Sequence, residues 1–262
     1  LAGTGDITVN GVIANGGGST SSLWKFGTGM LVLNGANTHS GGTILSEGIT
    51  QVGNDDAFGS GAIGLNGGAL QGDGTARTLA NNVNLLWNST ISGSSALQFD
   101  GTFGNLSDDR TLTVNNSATT TFDDIDISSS STSRSLTING TGNAIVNGVI
   151  ADGSTATASS LIKGGSGTLT LNGNNTHGGQ TIINGAIIIG HNNAFGDGSL
   201  NLGFGGSLQG DGVARTIANN IGLGAAFTIG GSSDLTFNGT LTNSWANNIL
   251  TINNSGLTTL NN

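Results

Sequence analysis

The chain contains itself almost twice. Val9-Asn10-Gly11-Val12-Ile13 returns as Val146-Asn147-Gly148-Val149-Ile150, and Leu70-Gln71-Gly72-Asp73-Gly74 returns as Leu208-Gln209-Gly210-Asp211-Gly212. Ala76-Arg77-Thr78 and Ala80-Asn81-Asn82 come back as Ala214-Arg215-Thr216 and Ala218-Asn219-Asn220. The offset is 137 or 138, and the sequence places the one-residue shift at Ser40. A first unit therefore spans residues 1–137 and a second, slightly shorter one residues 138–262, expected to form one continuous rod. Self-similarity at a fixed period marks architectures in which each unit buries its apolar face against its neighbours. The second unit breaks off before completing its copy, so further copies are expected beyond one or both termini.

Within each unit runs a shorter beat: apolar, any residue, apolar, then Asn-Gly or a near equivalent, as at Leu31–Gly35, Ile63–Gly67, Leu136–Gly140 and Leu169–Gly173. Alternation of period two with Val, Ile and Thr as filling predicts short strands throughout, and no helical stripe competes with it. Asn-Gly between apolar runs is also the signature of a two-residue hairpin, which is plausible at Ile145–Ile150. Elsewhere the polar stretches are too long: Ala36-Asn37-Thr38-His39-Ser40-Gly41-Gly42 separates Leu33 from Thr43. The expected fold is all-β, a parallel β-helix or solenoid. Coils of roughly 20–25 residues would stack on the order of a dozen rungs into a rod about 55–60 Å long.

Composition fits that geometry. The 262 residues include 48 glycines and no proline; glycine turns corners at positive φ, and proline would delete an inter-rung donor. Hydrophobic residues make up 35%, enough for a narrow core held without disulfides, since cysteine is absent. Asn81, Asn82, Asn219 and Asn220 are expected to stack as amide ladders along the axis, as asparagines do in cross-β assemblies.

Charge removes whole classes of partner. With a net charge of −9 and six scattered Lys and Arg, the chain lacks the basic face that nucleic acid requires, and an anionic membrane surface would repel it. It holds no apolar run long enough to span a bilayer as a helix. It opens without a signal-peptide pattern, and the lack of cysteine is compatible with extracellular life.

The segment Gly29-Met30-Leu31-Val32-Leu33-Asn34-Gly35-Ala36-Asn37-Thr38-His39-Ser40-Gly41-Gly42-Thr43-Ile44 resembles the passenger-associated repeat of bacterial autotransporters. The likeness runs on through Gly48–Gly61 and Leu65–Gly68, and recurs at Gly167–Gly179. It implies a right-handed parallel β-helix exported across the outer membrane of a Gram-negative bacterium. His39 and His177 stand where that family commonly has tyrosine, Gln180 stands in place of an expected threonine, and these 262 residues themselves contain no translocator barrel. The resemblance speaks for scaffold and secretion; fold does not dictate activity.

Residues that could carry chemistry are few. Asp55-Asp56, Asp108-Asp109 and Asp123-Asp124 with Asp126 read first as solvated turns. Asp108, Asp109, Asp123, Asp124 and Asp126 are secondary candidates for calcium at hard oxygen ligands, and paired carboxylates for glycoside cleavage come third. The second unit has Asn192-Asn193 opposite Asp55-Asp56. His39 and His177 lie one unit apart and His191 stands alone, so they read as turn residues rather than converging metal ligands. Asp73 with Arg77 and Asp211 with Arg215 are set to pair locally. Trp87 and Trp245 read either as exposed contact residues or as rings partly covered by a loop. Trp24, Trp87 and Trp245 face Ile162, Ala225 and Ser107 across the repeat, so none is a shared core position. No cofactor motif appears.

The expectation is a non-enzymatic extracellular rod, extended by covalent repetition or by end-to-end contacts between chains. An adhesin that meets a cell-surface protein or glycan is the alternative, and a polysaccharide-acting enzyme the remote one.

Overall fold

The computed structural model describes residues 1–128, 130–153, 156–243 and 247–261. Among them are 31 short strands and no helix. Every strand pairing is parallel, and strands pair with those one coil before and after. The result is a β-solenoid of 12 coils, counted on a first face of 12 strands. A second face carries nine strands, and a third carries seven and then three. Twelve rungs at about 4.8 Å give a rod of about 58 Å.

The period-two pattern lines the interior. Leu31 and Leu33, Leu112 and Val114, and Leu136 and Ile138 are buried while the residues between them face outward. One apolar cluster runs from Leu23 to Phe237 without a break. In the middle of the rod Phe99 stacks on Phe122 at 5.4 Å, and Phe103 meets Phe122 edge-on at 4.8 Å, geometries favoured by aromatic quadrupoles. The hairpin considered at Ile145–Ile150 does not form: Ala144–Val146 and Ile150–Ala151 lie on successive faces of one coil.

Coil length varies while the ladder does not. Leu31 pairs with Thr50, but Leu112 pairs with Ile138, so the corners absorb the difference. The shift in repeat offset also lies at corners, not at Ser40. Thr43–Leu45 corresponds to Thr181–Ile183, which gives Ser40 the partner Gly178 and puts Gln180 opposite Gly42. The threonine expected at 180 is Thr181. The one-residue differences fall between Ile150 and Leu161, at Ser46-Glu47-Gly48 against Asn184-Gly185, and at the inserted Phe204.

The two units are related by a screw. Strands Met30–Leu33, Ile49–Val52 and Ala69–Gly72 belong to the first face, whereas their counterparts Thr168–Leu171, Ala186–Ile189 and Ser207–Gly210 belong to the second. Each unit thus advances six coils plus one face, and equivalent surfaces point a third of a turn apart. The boundary at 137/138 lies inside the strand Ser135–Asn139, and core and hydrogen bonds run across it.

Candidate functional site

In coils one to three the second face has no strand; in coils two and three the chain passes through 34–42 and 53–62 instead. Part of the backbone there still bonds between coils, as Thr38 N to Ile13 O and Ser60 N to His39 O, but the regular ladder is broken, and buried polar groups left over must be satisfied. Buried side chains take over. Asn37 Oδ1 accepts from Ile13 N at 2.7 Å, and its Nδ2 donates to Ala57 O at 2.6 Å, so one amide ties three coils. Asn175 repeats this with Ile150 N at 2.8 Å and Ala194 O at 2.6 Å. Neither residue stood out in the sequence; the only signal was the same Asn at both copies of the loop.

Asn81 Nδ2 donates to Gly59 O and Gly61 O at 2.8 and 2.7 Å, and Asn219 does the same to Gly196 O and Gly198 O. Asn82 and Asn220 accept from Thr102 N and Thr240 N. All four bond to peptide groups of adjacent coils, not to one another: the strandless loops present carbonyls to Asn81 and Asn219, while Asn82 and Asn220 cap N–H groups of the next coil. Amide-to-amide bonds occur instead at Asn34 with Asn10 (2.7 Å) and Asn172 with Asn147 (2.8 Å).

His39 and His177 are interior residues, fully buried. Thr43 Oγ1 donates to Phe58 O, so its lone pair accepts from His39 Nε2 at 2.8 Å; Thr181, Phe195 and His177 repeat the arrangement. This chain of donors assigns the Nε2–H tautomer and leaves each Nδ1 buried without a partner. Burial pushes the His177 pKa down, so the ring is neutral. Gly59 and Gly196 adopt φ of +68° and +67° directly against these histidines, where a side chain would overlap the His carbonyl oxygen.

Two lysines occupy inward strand positions. Lys25 Nζ donates to Phe26 O, Gly27 O and Glu47 O at 3.3, 2.5 and 3.2 Å, closing a corner. Its counterpart Lys163 bonds to Gly164 O, and where the first unit has Glu47 the second has only Asn184-Gly185. Desolvation lowers the Lys163 pKa to about 8.

The acidic candidates are spread over separate corners, except Asp126, which lies within the strand Ile125–Ser128. Asp108 meets Arg110 at 3.3 Å and Arg134 at 3.8 Å; its carboxyl is held below the usual range by the Asp109 N–H and then Arg110. Asp109 and Asp124 accept from Ser135 N and Val149 N. Asp123 is exposed, and Asp126 is pushed up by burial and by the charge of Asp124. Among the described residues no three His, Cys, Asp or Glu side chains converge to hold a metal. Asp73 and Asp211 pair bidentately with Arg77 and Arg215. Asp55 and Asp56 border a groove of about 740 Å³ with Thr38, Ser60, Thr78 and Asn81. Trp87 is 58% exposed and Trp24 50%; Trp245 lies outside the described residues.

The polar staple of Asn37, His39 and Thr43 sits within the stretch the sequence likened to a secreted repeat. The family model for the passenger-associated-transport-repeat matches residues 23–52 and 161–188. The chain carries this repeat twice. Each match covers one strandless loop, its Asn and His anchors, and the strands on either side. In this chain each matched stretch is thus about one and a half coils of solenoid, in which one missing strand is replaced by buried side-chain hydrogen bonds. No curated protein and no solved structure matches the chain.

Proposed function

We propose that the chain is part of the secreted passenger of a Gram-negative autotransporter, a non-catalytic rod that carries surfaces away from the cell. The observation that carries this reading is the pair of passenger-associated repeats within one unbroken parallel ladder. Extension of the rod, by covalent repetition or by stacking of chains end to end, is supported by the junction at 137/138. There the last coil of one unit is a fitting template for the first coil of the next. To test the reading, the chain is placed between a signal peptide and a translocator barrel in a Gram-negative host. Surface labelling of intact cells, with a protease-resistant core, is expected; retention in the periplasm would refute it. Electron micrographs of the purified chain test stacking, which predicts lengths in multiples of about 58 Å.

The adhesin reading is favoured by a different observation, the exposed rings of Trp24, Phe26 and Trp87 on the first four coils.

A further inference from the structure

Successive coils bring Phe26, Ser46, Asn66 and Trp87 to the same corner of the rod. With Glu47 and Asn88 they line an open groove of about 610 Å³ that runs along the axis. An aromatic ring stands at each end, and the floor between is polar. Three rung spacings separate the rings, about 14 Å.

Both rings are held in place. Trp24 lies 5.6 Å from Phe26, widening that platform. The Arg110 guanidinium lies 5.0 Å from the centre of Trp87 and is itself fixed by Leu86 O and Asp108. Such a cation–π contact orients the indole, and the Trp87 ring edge stands over Gly67 on the groove side. The floor offers both donors and acceptors. Asn66 Nδ2 donates to Ser46 Oγ at 3.2 Å, Glu47 Oε2 accepts from Gly27 N at 3.1 Å, and Asn88 Oδ1 accepts from Thr111 N at 2.8 Å. These bonds set the side chains while leaving the Ser46 hydroxyl proton and the Asn88 N–H donors for a ligand.

The second unit is an internal control. At the equivalent corner it has Gly164 for Phe26, Ala225 for Trp87, Ala226 for Asn88 and Asn248 for Arg110, and it lacks Glu47. The ladder is intact there: Leu161, Ile162 and Lys163 pair with Thr181, Ile182 and Ile183 in the same register as Leu23–Lys25 with Thr43–Leu45. The aromatic groove is therefore not required by the scaffold.

We infer that this corner of coils one to four binds a neutral oligosaccharide or polysaccharide chain, lying along the rod with sugar faces against Phe26 and Trp87. Rigid aromatic faces over a few placed polar groups suit a ligand with C–H faces and hydroxyl edges. The charge of the chain and the Glu47 carboxylate select against acidic polymers. Among the described residues that line the groove Glu47 is the one carboxylate, whereas glycoside cleavage uses two, which favours binding over cleavage. The inference deepens the adhesin reading, but its test uses the purified chain and is independent of export.

Calorimetric titration with cellohexaose, maltohexaose, mannohexaose and xylohexaose, against hexagalacturonate, decides it. At least one neutral hexasaccharide is expected to bind, with a weakening of roughly tenfold or more in Trp87→Ala and in Phe26→Ala, as for loss of an aromatic anchor. Trp87→Ala carries the residue the second unit already has, so its fold is secure, and circular dichroism checks it. Phe204→Ala, on the second unit's corner, should leave affinity unchanged. Absence of binding to every neutral sugar, affinity undiminished by Trp87→Ala, or preference for hexagalacturonate would each overturn the inference.

Discussion

Replacing Asn175 with alanine removes one side chain that serves three coils. Its two hydrogen bonds, to Ile150 N and Ala194 O, are buried, and alanine leaves both backbone partners unsatisfied. Each such orphan costs about 1–3 kcal/mol, so the expected loss is roughly 2–6 kcal/mol. In a solenoid stability is summed over neighbouring coils, which makes position matter. Asn175 sits mid-rod, and its loss should lower the urea midpoint of the whole chain. The identical change at Asn37 should act mainly on coils one to three, seen as faster amide exchange at Ile13 and across 37–57 with a smaller shift of the main transition. Gln180→Ala, an exposed neighbour, serves as control and should stay within about 0.5 kcal/mol. If Asn175→Ala shifts stability no more than Gln180→Ala does, the staple is not what holds the strandless face.

Burial lowers the pKa of His177 in the folded chain, so below about pH 6.5, the unfolded value, the unfolded state binds more protons. Stability should be full above that pH and fall as it is lowered through it, and His177→Gln should flatten the slope in urea melts. For Lys163 the folded value is about 8 against about 10.4 unfolded. Stability should therefore rise between those two pH values, and Lys163→Met should abolish the rise and stabilise the chain at pH 7. Gly196→Ala should cost more than about 2 kcal/mol, since it combines strain at φ +67° with overlap on His177 O. Gly212→Ala, at φ +103° in open space, should show the backbone strain alone, about 1–2 kcal/mol, in thermal melts.

Much of the rod was legible in the chain because period-two patterning is local. Leu31 and Leu33, or Leu136 and Ile138, announce an inward pair whatever lies above them, and the absence of proline agrees with a ladder in every coil. The polar interior was not legible in the same way. His39 reads as a turn residue among Asn, Thr and Ser, and nothing in the sequence marks Lys25 as interior, because hydrophobicity does not reveal where a broken ladder leaves carbonyls in want of donors. The aromatic groove was missed for a related reason: Phe26 and Trp87 are 61 positions apart, and only the coil length places them at one corner.

The repeat in the sequence determined that the chain would be a stack of like coils, because apolar stripes that cannot be buried within one unit must be buried against the next. It could not determine the angle between the units. Corners take up extra residues without disturbing the ladder, so a period of 137 or 138 residues says nothing of how many faces it spans. That number, six coils and one face, follows only from how every corner closes, and it turns each unit a third of a revolution from the last.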